Sequence, residues 1–344
     1  MSRRVAVVGA GAWGTALTIP LVASQSSVAL WCRRPELAEE INATGCNHAY
    51  LPGVPLGPVW ATGDLQAAVA GAGIVILGLP SAVMRPVCRA LRPYLPEGAA
   101  VVSTAKALDF HTLERMSEVI SAELGIDSRR VLALSGPNFA VEVVQGLPTA
   151  TVVGGEPKAA RLVQEAIMTD RLRVYTNPDI CGVELGGALK NVIAIAVGIA
   201  DGMGLGLNAR AALITRGLAE MTRLGRAMGA RPSTFSGLSG MGDLVLTCTG
   251  EYSRNRQAGI ALGQGSTMKE FLSSTGLVVE GANTARAAWQ LALRYQVDMP
   301  ITEEVHHILF GGRSPQEGLA RVMSRSPKEE SEEVAANGGL MSSA

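Results

Sequence analysis

The sequence predicts an α/β fold, with a doubly wound parallel sheet (Rossmann-like) in an N-terminal domain and an all-helical C-terminal domain. Up to about residue 177, short β-branched runs alternate with helical patterns, as is typical of parallel sheets with crossover helices. Beyond that point, long stretches of helix formers follow one another without strands. We therefore expect a dinucleotide-binding domain at 1–177, a helical substrate domain at 178–324, and a flexible tail at 325–344.

Apolar runs give the order of the elements. Residues 5–8 form a β-branched run before Gly9, which predicts a buried strand, and residues 15–22 show a helical pattern. Further strands are predicted at 27–31, 74–79, 99–103, 131–134, 149–153 and 172–175. Helices are predicted at 85–91 and 112–124, and in the second domain at 184–200, 208–228, 283–295 and 302–310.

Composition narrows the function classes. The 344 residues include 30 Lys and Arg against 30 Asp and Glu, so the chain lacks the basic surplus of most nucleic-acid-binding proteins, and we expect no nucleic-acid partner. With 47% hydrophobic residues, the chain can form a large core. The most apolar later stretch, 192–200, is far shorter than the ~20 residues of a membrane span, so we expect no span.

Cysteine usage bears on the compartment. The five cysteines are scattered without a CxxC pair, which argues against a disulfide framework and against a cysteine-bound metal, and we expect no metal site. The basic start and the apolar run after it superficially resemble a signal peptide, but Gly9, Gly11 and Gly14 interrupt that run. These features favour a reducing, cytoplasmic location.

The run Gly9-Ala10-Gly11-Ala12-Trp13-Gly14 matches GxGxxG between a predicted strand and a predicted helix. In such loops the first glycine allows a tight turn, the second lets the backbone approach a pyrophosphate, and the third permits close helix–strand packing. The N–H groups at the start of the helix then face the anion. The pattern predicts a dinucleotide site; the alternative is a glycine-rich turn without a ligand.

The end of the second strand bears on which dinucleotide binds. An NAD-selective site usually carries Asp or Glu about twenty residues after the loop. In that region this chain has Arg33 and Arg34, and its first acid is Glu36. Two guanidinium groups can hold a 2′-phosphate, which favours NADPH over NADH or indicates tolerance of both. The alternative is that both arginines are simply solvated.

Polar residues stand out at three further places. Lys190 and Asn191 lie in a predicted helix that is apolar around most of its circumference, so Lys190 either lines a cavity or extends to solvent. Residues 253–256, Ser-Arg-Asn-Arg, offer donors that suit a phosphate, or form an exposed helix start capped by Ser253. Lys106 follows a predicted strand at the sheet edge where ligands bind in such folds.

Taken together, these segments resemble the bacterial NAD(P)-dependent glycerol-3-phosphate dehydrogenase family. The resemblance spans about residues 4–312, and its segments are 9–17, 135–140, 184–192, 208–217, 240–249, 253–256 and 278–281. It implies a nucleotide-binding α/β domain, a helical substrate domain and the interconversion of glycerone phosphate with sn-glycerol 3-phosphate, which feeds phospholipid synthesis. Because helical second domains in this architecture often pair, we also expect a homodimer.

The resemblance implies roles for individual residues, with Lys190 as the catalytic lysine that gives or takes the proton. The implied substrate contacts are Lys106, Gly136, Asn138, Lys190, Asn191, Asp243, Ser253, Arg254 and Asn255. The implied cofactor contacts are Gly9, Gly11, Ala12, Trp13, Gly14, Arg33, Arg34, Tyr50, Lys106, Ala140, Arg254, Val278 and Glu280. The chain departs from the family pattern at Asn138, where a small hydroxyl residue is usual, and at Ala107 and Asp109, where glycine and glutamate are common.

These roles define an expected mechanism. Lys190 would protonate the alkoxide that develops as a hydride reaches the carbonyl carbon. Burial and the nearby charges of Lys106 and Arg254 should lower the pKa of Lys190, while Asp243 opposes this. Lys106 would polarise the carbonyl, and Arg254 with Asn255 would bind the phosphate. Two rival interpretations stay open: a related dehydrogenase of small hydroxy acids, and a non-catalytic sensor that binds NADPH.

Overall fold

The N-terminal part of the chain folds around a sheet. The computed structural model describes residues 3–276, 278–327 and 329. Its strands are β1 (Arg4–Val8), β2 (Ser27–Trp31), β3 (Cys46–Asn47), β4 (Leu51–Pro55), β5 (Val59–Thr62), β6 (Ile74–Leu77), β7 (Ala100–Ser103), β8 (Val131–Ser135), β9 (Thr149–Gly154) and β10 (Leu172–Asn177). The main sheet has the order β10-β9-β8-β7-β6-β1-β2-β5, and β3 pairs separately with β4. The glycine loop after β1 therefore starts from the interior of the sheet.

Helices between the strands cover both faces of the sheet. They are α1 (Ala12–Ala23), α2 (Pro35–Thr44), α3 (Leu65–Val69), α4 (Met84–Leu91), α5 (Met116–Leu124), α6 (Ala140–Val144) and α7 (Pro157–Ile167). Along β1, Val5 and Val7 belong to one apolar cluster while Ala6 and Val8 belong to another. Both faces are thus buried, as in doubly wound sheets, and the predicted fold class is confirmed.

Two strands at one edge run against the other six. The pairs among β1, β2, β5, β6, β7 and β8 are parallel, as predicted. Strand β9 is antiparallel to β8, with Ala133 opposite Gly154, and β10 is parallel to β9. The five-residue helix α6 rises only about 7.5 Å, roughly half the length of the five-residue β8, so it does not carry the chain back to the start of that strand. The predicted parallel pairing therefore ends at β8, and β9 and β10 join the sheet in the opposite direction.

From Ile180 onward the described residues form helices and turns, which confirms the predicted helical part. The helices are α8 (Ile180–Gly202), α9 (Gly206–Ala227), α10 (Pro232–Phe235), α11 (Asp243–Thr249), α12 (Arg254–Gly263), α13 (Met268–Thr275), α14 (Glu280–Tyr295), α15 (Pro300–Phe310) and α16 (Pro315–Met323). Helix α8 is the central element, since every residue from Gly182 to Ala200 is buried. It packs against α9, α11, α12 and α14.

Helix α8 is longer than its apolar centre suggests. It has 23 residues and a mean hydropathy of 1.6 in its most apolar window, enough in length and composition to cross a membrane. Yet 89% of that window is buried inside the protein, which is typical of a core helix. The apolar stretch 192–200, from which no span was predicted, is only the second half of this helix. The earlier turns were not counted because they contain glycines and Lys190.

Glycines bring α12 unusually close to α8. A Cβ atom at Gly198 would collide with the carbonyl oxygen of Arg256, and one at Gly259 with that of Ile195. One turn further on, Gly202 and Gly263 meet in the same way. Because the obstructing atoms belong to the backbone, they cannot rotate away, and only glycine fits. This contact fixes the start of α12 relative to the helix that carries Lys190.

The helical part and the sheet part are also joined through the segment between β7 and α5. Leu108 from this segment is 1% exposed and belongs to the apolar core of the helical part. In return, Glu184 of α8 accepts hydrogen bonds from the Ser117 N–H at 2.7 Å and the Ser117 hydroxyl at 2.6 Å, and it pairs with Arg115. Each part therefore places a side chain inside the other.

The transition from sheet to helices is short. Strand β10 ends at Asn177 and α8 begins at Ile180, on either side of residue 178. Asp179 caps α8, because its carboxylate accepts a hydrogen bond from the N–H of Gly182 at 2.9 Å. The predicted tail, 325–344, lies largely outside the described residues.

Candidate active site

The glycine loop between β1 and α1 has a conformation that its glycines require. Gly9 has φ +116°, and a Cβ there would lie 2.6 Å from the carbonyl oxygen of Gly78. A Cβ at Gly14 would collide with the carbonyl oxygen of Gly9, so α1 packs directly on the loop. Beside Gly11, no atom lies within 4 Å of a Cβ position. Open space therefore adjoins the backbone at the glycine that meets the pyrophosphate in this motif.

The residues around the loop fit a dinucleotide. Helix α1 begins at Ala12 without a side-chain cap, so the N–H groups of its first turn, including that of Trp13, are available for an anion. Arg33 and Arg34 follow β2, and both are exposed. Neither guanidinium forms a hydrogen bond or ion pair within the described residues. Two unpaired cations at this strand end suit a 2′-phosphate.

A buried asparagine, which the sequence analysis missed, ties the segment containing Tyr50 to the glycine loop. The Asn47 Nδ2 donates to the carbonyl oxygen of Ala10 at 3.0 Å and to the Thr15 hydroxyl at 2.8 Å. The N–H of Tyr50 donates in turn to the carbonyl oxygen of Asn47, and the Tyr50 side chain is 48% exposed. Tyr50 therefore lies on a segment held against the loop, where a cofactor contact was predicted.

Lys190 lies in the interior beside a carboxylate. It is 4% exposed, and its Nζ donates to Asp243 Oδ1 at 2.5 Å and to the Thr247 hydroxyl at 2.6 Å. Asp243 and Thr247 are four residues apart on α11 and so lie on one face of that helix. The interpretation in which the Lys190 side chain extends to solvent is therefore wrong.

Two glycines one turn before Lys190 let α8 approach its neighbours. A Cβ at Gly186 would lie 2.6 Å from the carbonyl oxygen of Ser239, and one at Gly187 would lie 2.5 Å from the Ser135 hydroxyl. Ser239 belongs to the π-helical turn Leu238–Gly242 before α11, and Ser135 ends β8. The close packing brings Lys190 to Asp243 and to the carboxyl edge of the sheet at once.

Lys106 reaches the same carboxylate from the sheet edge. Its Nζ lies 2.8 Å from each of three acceptors: Asp243 Oδ2, the carbonyl oxygen of Gly136 and Asn138 Oδ1. An ammonium group has three N–H donors, so the protein satisfies all of them. The structure therefore brings five of the predicted substrate residues together: Lys106, Gly136, Asn138, Lys190 and Asp243.

Asn138, where the chain departs from the family pattern, is held at both ends of its amide. Its Oδ1 accepts from Lys106, and its Nδ2 donates to the Thr151 hydroxyl at 3.1 Å. Thr151 donates in turn to the carbonyl oxygen of Ser135 at 2.6 Å. Asn138 is 7% exposed, so these bonds are shielded from water. The amide thus links Lys106 to strand β9.

Burial dominates the titration of Lys190. It lowers the pKa of Lys190 to about 8, while Asp243 acts in the opposite direction and Lys106 lowers it further. The expected direction and the expected parts of Lys106 and Asp243 are confirmed. Arg254, which is exposed, is not among the main causes, contrary to expectation. With a pKa of about 8, both the charged and the neutral form of Lys190 are populated around that pH, as a group that gives and receives a proton requires.

Asn191 connects three elements beside Lys190. Its Nδ2 donates to the carbonyl oxygen of Lys106 at 2.9 Å, and its Oδ1 accepts from Asn255 Nδ2 at 2.9 Å. The Asn255 Oδ1 accepts from the N–H of Gly281 at 3.0 Å. The starts of α12 and α14 are therefore both tied to α8 next to Lys190.

The start of α12 presents a cation. The Ser253 hydroxyl accepts from the N–H of Arg256 at 3.2 Å and caps the helix, and its O–H hydrogen is not used in that bond, so the cap does not exclude a phosphate ligand. Arg256 pairs with Asp201 at 2.7 Å. Arg254 is exposed and forms no ion pair or hydrogen bond in the part of the chain that the structure describes. Its guanidinium is therefore available to an anionic ligand.

Glu280 links the helical part to the sheet part. Its carboxylate accepts from the Ser81 N–H at 3.1 Å and from the Ser81 hydroxyl at 2.6 Å. Ser81 follows β6 at the same sheet edge as the glycine loop, and Ala140 begins α6 after β8. Val278, two residues before Glu280, is 50% exposed. Of the predicted cofactor contacts, Ala140 therefore follows a strand of that edge, Glu280 is bonded to the edge through Ser81, and Val278 lies two residues before Glu280.

Sequence reasoning missed several supporting residues: Asn47, Ser81, Thr151 and Thr247. Thr247 alone had a usable signal, because it follows Asp243 at the helical spacing of four residues. The others depend on contacts between distant segments that no local pattern encodes. In the described residues, no three His, Cys, Asp or Glu side chains converge as a metal site requires.

Comparisons with known proteins identify relatives over nearly the full length. A model of the NAD-dependent glycerol-3-phosphate dehydrogenase N-terminus matches residues 4–161, and one of the C-terminus matches residues 179–320. The glycerol-3-phosphate dehydrogenase (NAD(P)+) of Moorella thermoacetica is 52% identical, covering 96% of this chain and 99% of the relative. That of Symbiobacterium thermophilum is 53% identical, covering 96% of each.

Solved structures agree with these matches. The glycerol-3-phosphate dehydrogenase of Coxiella burnetii superposes with a TM-score of 0.88 at 38% identity, covering 94% of this chain and 99% of that chain. A 2-dehydropantoate 2-reductase from Geobacter metallireducens reaches a TM-score of 0.59 at 15% identity, covering 90% and 100%, and this likeness extends to the fold alone. The chain belongs to the NAD-dependent glycerol-3-phosphate dehydrogenase family.

Proposed function

We propose that Lys190 carries the proton in the reversible reduction of glycerone phosphate to sn-glycerol 3-phosphate, the reaction of this family. One observation carries the assignment. Lys190 uses two of its three N–H donors on Asp243 and Thr247, and no third acceptor is found among the described residues. The remaining donor is available to a substrate oxygen, whereas all three donors of Lys106 are used by the protein.

The chain's own groups carry out the proton step. When bound, the reduced nicotinamide supplies a hydride to the carbonyl carbon of the substrate. Lys190 protonates the oxygen on which negative charge develops, and in the reverse direction neutral Lys190 takes that proton back. Asp243 and Thr247 hold Nζ in place during both steps. The pKa of Lys190, lowered to about 8 by burial, supports a role in both directions.

Lys106 acts as a fixed positive charge beside the reacting oxygen. Since Asp243, Gly136 and Asn138 use its donors, it contributes through its electrostatic field rather than through proton transfer. A fixed charge of this kind favours the transition state, in which the oxygen carries more negative charge than in the ground state. This refines the carbonyl-polarising role that the sequence predicted.

The start of α12 binds the substrate phosphate. Arg254, Asn255 and the Ser253 hydroxyl offer a cation and neutral donors within one helical turn, as a phosphate with several acceptor oxygens requires. The bond from Asn255 to Asn191 supports this assignment, because it ties the phosphate end of the site to the residue beside Lys190. Binding at the phosphate would hold the reacting carbon in position.

The cofactor contacts of this chain are proposed to be Gly9, Gly11, Ala12, Trp13, Gly14, Arg33, Arg34, Tyr50, Lys106, Ala140, Arg254, Val278 and Glu280. The open backbone at Gly11 and the uncapped start of α1 support the pyrophosphate end of this set. NADPH is the favoured cofactor, because the exposed and unpaired Arg33 and Arg34 suit an additional phosphate.

The domain division and assembly complete the proposal. Residues 1–177 hold the cofactor, residues 178–324 hold the substrate, and two copies pair through their helical domains. Light scattering measures the oligomeric state. All five cysteines, Cys32, Cys46, Cys88, Cys181 and Cys248, are free thiols, which supports a reducing cytoplasmic location.

The test is absorbance at 340 nm with purified protein, glycerone phosphate and each reduced cofactor. We expect turnover of the phosphorylated triose, and Lys190→Ala should lower kcat by roughly 10³-fold or more while cofactor binding, followed by fluorescence, persists. Lys158→Ala, at an exposed lysine of α7, is the matched control and should not change kcat. Activity of Lys190→Ala within about tenfold of the native chain would remove Lys190 from the proton step.

A further inference from the structure

Lys106 lies near the start of a loop that contains a side-chain-capped turn and a residue with a left-handed backbone conformation. This Lys106 loop comprises residues 104–115, between β7 and α5. Asp109 Oδ1 accepts from the N–H groups of His111 and Thr112, at 2.9 and 3.0 Å. Leu113 adopts φ +65°, a conformation that costs a non-glycine residue energy and needs support from its surroundings. The loop therefore depends on external anchors.

Two anchors come from the helical part. Leu108 is buried in the helical core, and the Lys106 carbonyl accepts from Asn191 Nδ2 at 2.9 Å. They hold the middle of the loop and the Lys106 backbone against α8. Neither holds the loop to the sheet part, although the Lys106 side chain must stay aligned with Gly136 and Asn138 at the sheet edge.

Thr104 holds the start of the loop to the sheet, because its N–H and its hydroxyl both donate to the carbonyl oxygen of Leu77. Arg85 of α4 anchors the second half of the loop. Its Nε donates to Asp109 Oδ2 at 2.9 Å, and one of its terminal nitrogens, Nη2, donates to Glu114 at 2.6 Å and to Thr112 at 2.9 Å. The other terminal nitrogen, Nη1, donates to Glu123 of α5 at 2.9 Å. One guanidinium thus binds two acids of the loop and one acid of the helix that follows it.

The charges around Arg85 make this anchor hard to replace. Three carboxylates converge on its guanidinium, and among the described contacts Asp109 and Glu114 have no other ion pair. The Arg85 and Asp109 side chains are 25% and 12% exposed, so solvent screens their attraction only in part. Without Arg85, the carboxylates would repel one another across the base of the Lys106 loop.

We infer that Arg85 is a positioning residue for the reaction: it holds the Lys106 loop to the sheet part and so sets the place of the Lys106 ammonium beside Asp243. The inference rests on the proposed electrostatic role of Lys106. Arg85 touches neither Lys190 nor Asp243 in the described contacts, so its effect passes through the loop.

A double-mutant cycle tests the inference, with kcat/KM as the readout. Arg85→Met should lower kcat/KM by about tenfold or more in the native chain, and by less than about twofold when Lys106 is already Met. Arg89→Met is the matched control, since Arg89 lies one turn along α4, is 68% exposed and binds only Glu123. It should change kcat/KM by less than about twofold in either background.

Equal losses in both backgrounds would make Arg85 a purely structural residue and overturn the inference. An unchanged kcat/KM in Arg85→Met, or in Lys106→Met, would overturn it as well. If Arg85→Met does not fold, Asp109→Asn replaces it in the same cycle. This change keeps the Oδ1 acceptor for His111 and Thr112 but breaks the ion pair with Arg85. Turnover of glycerone phosphate by the native chain tests the proposed function separately, because it does not depend on the outcome of the cycle.

Discussion

Lys190 and Lys106 bind the two oxygens of one carboxylate, that of Asp243, at 2.5 and 2.8 Å. Asp243 is 1% exposed, and an isolated anion there would be costly. In the proposed mechanism, Asp243 stays paired with Lys106 when Lys190 gives up its proton, so the step leaves no unpaired buried anion. Lys106 therefore lowers the free energy needed to form neutral Lys190 beside the Asp243 carboxylate.

The pH dependence of the rate should follow Lys190. The charged form is the acid for reduction, so kcat/KM for glycerone phosphate should fall as pH rises through about 8, and the rate of oxidation should rise over the same range. Asp243 favours the charged form, so Asp243→Asn should move this inflection to lower pH. Stopped-flow rates from pH 6 to 10 measure both profiles. An inflection at the same or a higher pH in Asp243→Asn would contradict the assignment.

Arg254→Ala should weaken phosphate binding without harming the fold. Arg254 is exposed and has no partner within residues 3–276, 278–327 and 329, so the melting temperature should not change. A hydrogen bond to a charged group contributes about 1.5–3 kcal/mol, which corresponds to a KM for glycerone phosphate roughly 10- to 100-fold higher. Steady-state kinetics provide the measurement, with Arg294→Ala at an exposed site of α14 as the control. Efficient use of unphosphorylated glycerone by the native chain would argue against a phosphate anchor.

Replacing Arg33 and Arg34 together by Ala should change cofactor preference. The KM for NADPH should rise by roughly 10-fold or more, while that for NADH stays nearly constant, because only the 2′-phosphate loses its partners. Arg173→Ala, on the exposed side of β10, controls for loss of surface charge. Equal increases for both cofactors would show that the arginines do not read the 2′-phosphate.

Gly198→Ala should force α12 away from α8. The added methyl group would meet the carbonyl oxygen of Arg256, and overpacking of this kind typically costs about 1–3 kcal/mol. Because α12 carries Asn255, the displacement should also break its bond to Asn191 and raise the KM for substrate. Chemical denaturation and kinetics measure the two effects. Gly73→Ala has open space around its added Cβ and is the control; equal stability of the two variants would refute the close-packing argument.

Local sequence patterns predicted the fold because each half of the chain has one dominant pattern. Short apolar strands alternate with helices in the first half, and long helical stretches follow one another in the second. Strand runs such as 27–31 were located correctly, and the helical part followed from long runs of helix formers. Strand β5, however, consists of four residues in a Gly- and Pro-rich segment, too short to show alternation. The predicted helix at 112–124 begins only at Met116, because Asp109 caps the preceding turn and Leu113 takes a left-handed conformation.

The candidate site was predictable where an unusual residue type stands out from the local sequence pattern. Lys190 is a charged residue within an apolar helix, and the glycine loop interrupts an apolar run, so both stand out in the sequence. The direction of β9, by contrast, depends on how far a five-residue helix carries the chain. The three acceptors of Lys106 come from residues 136, 138 and 243, and their convergence is a property of the folded chain alone.

Leu108 and Glu184 each lie in the interior of the other part of the chain. The core of the helical part includes Leu108 from the sheet part, and the Glu184 carboxylate of the helical part needs hydrogen bonds from the sheet part. If the chain were cut near residue 178 and the two fragments separated, the Leu108 side chain would be exposed to water. Glu184 would lose the hydrogen bond from the Ser117 N–H that compensates its carboxylate in an apolar helix. Neither fragment would then be a self-sufficient folding unit. Heat should melt both parts in a single cooperative transition, as it would a protein with one core.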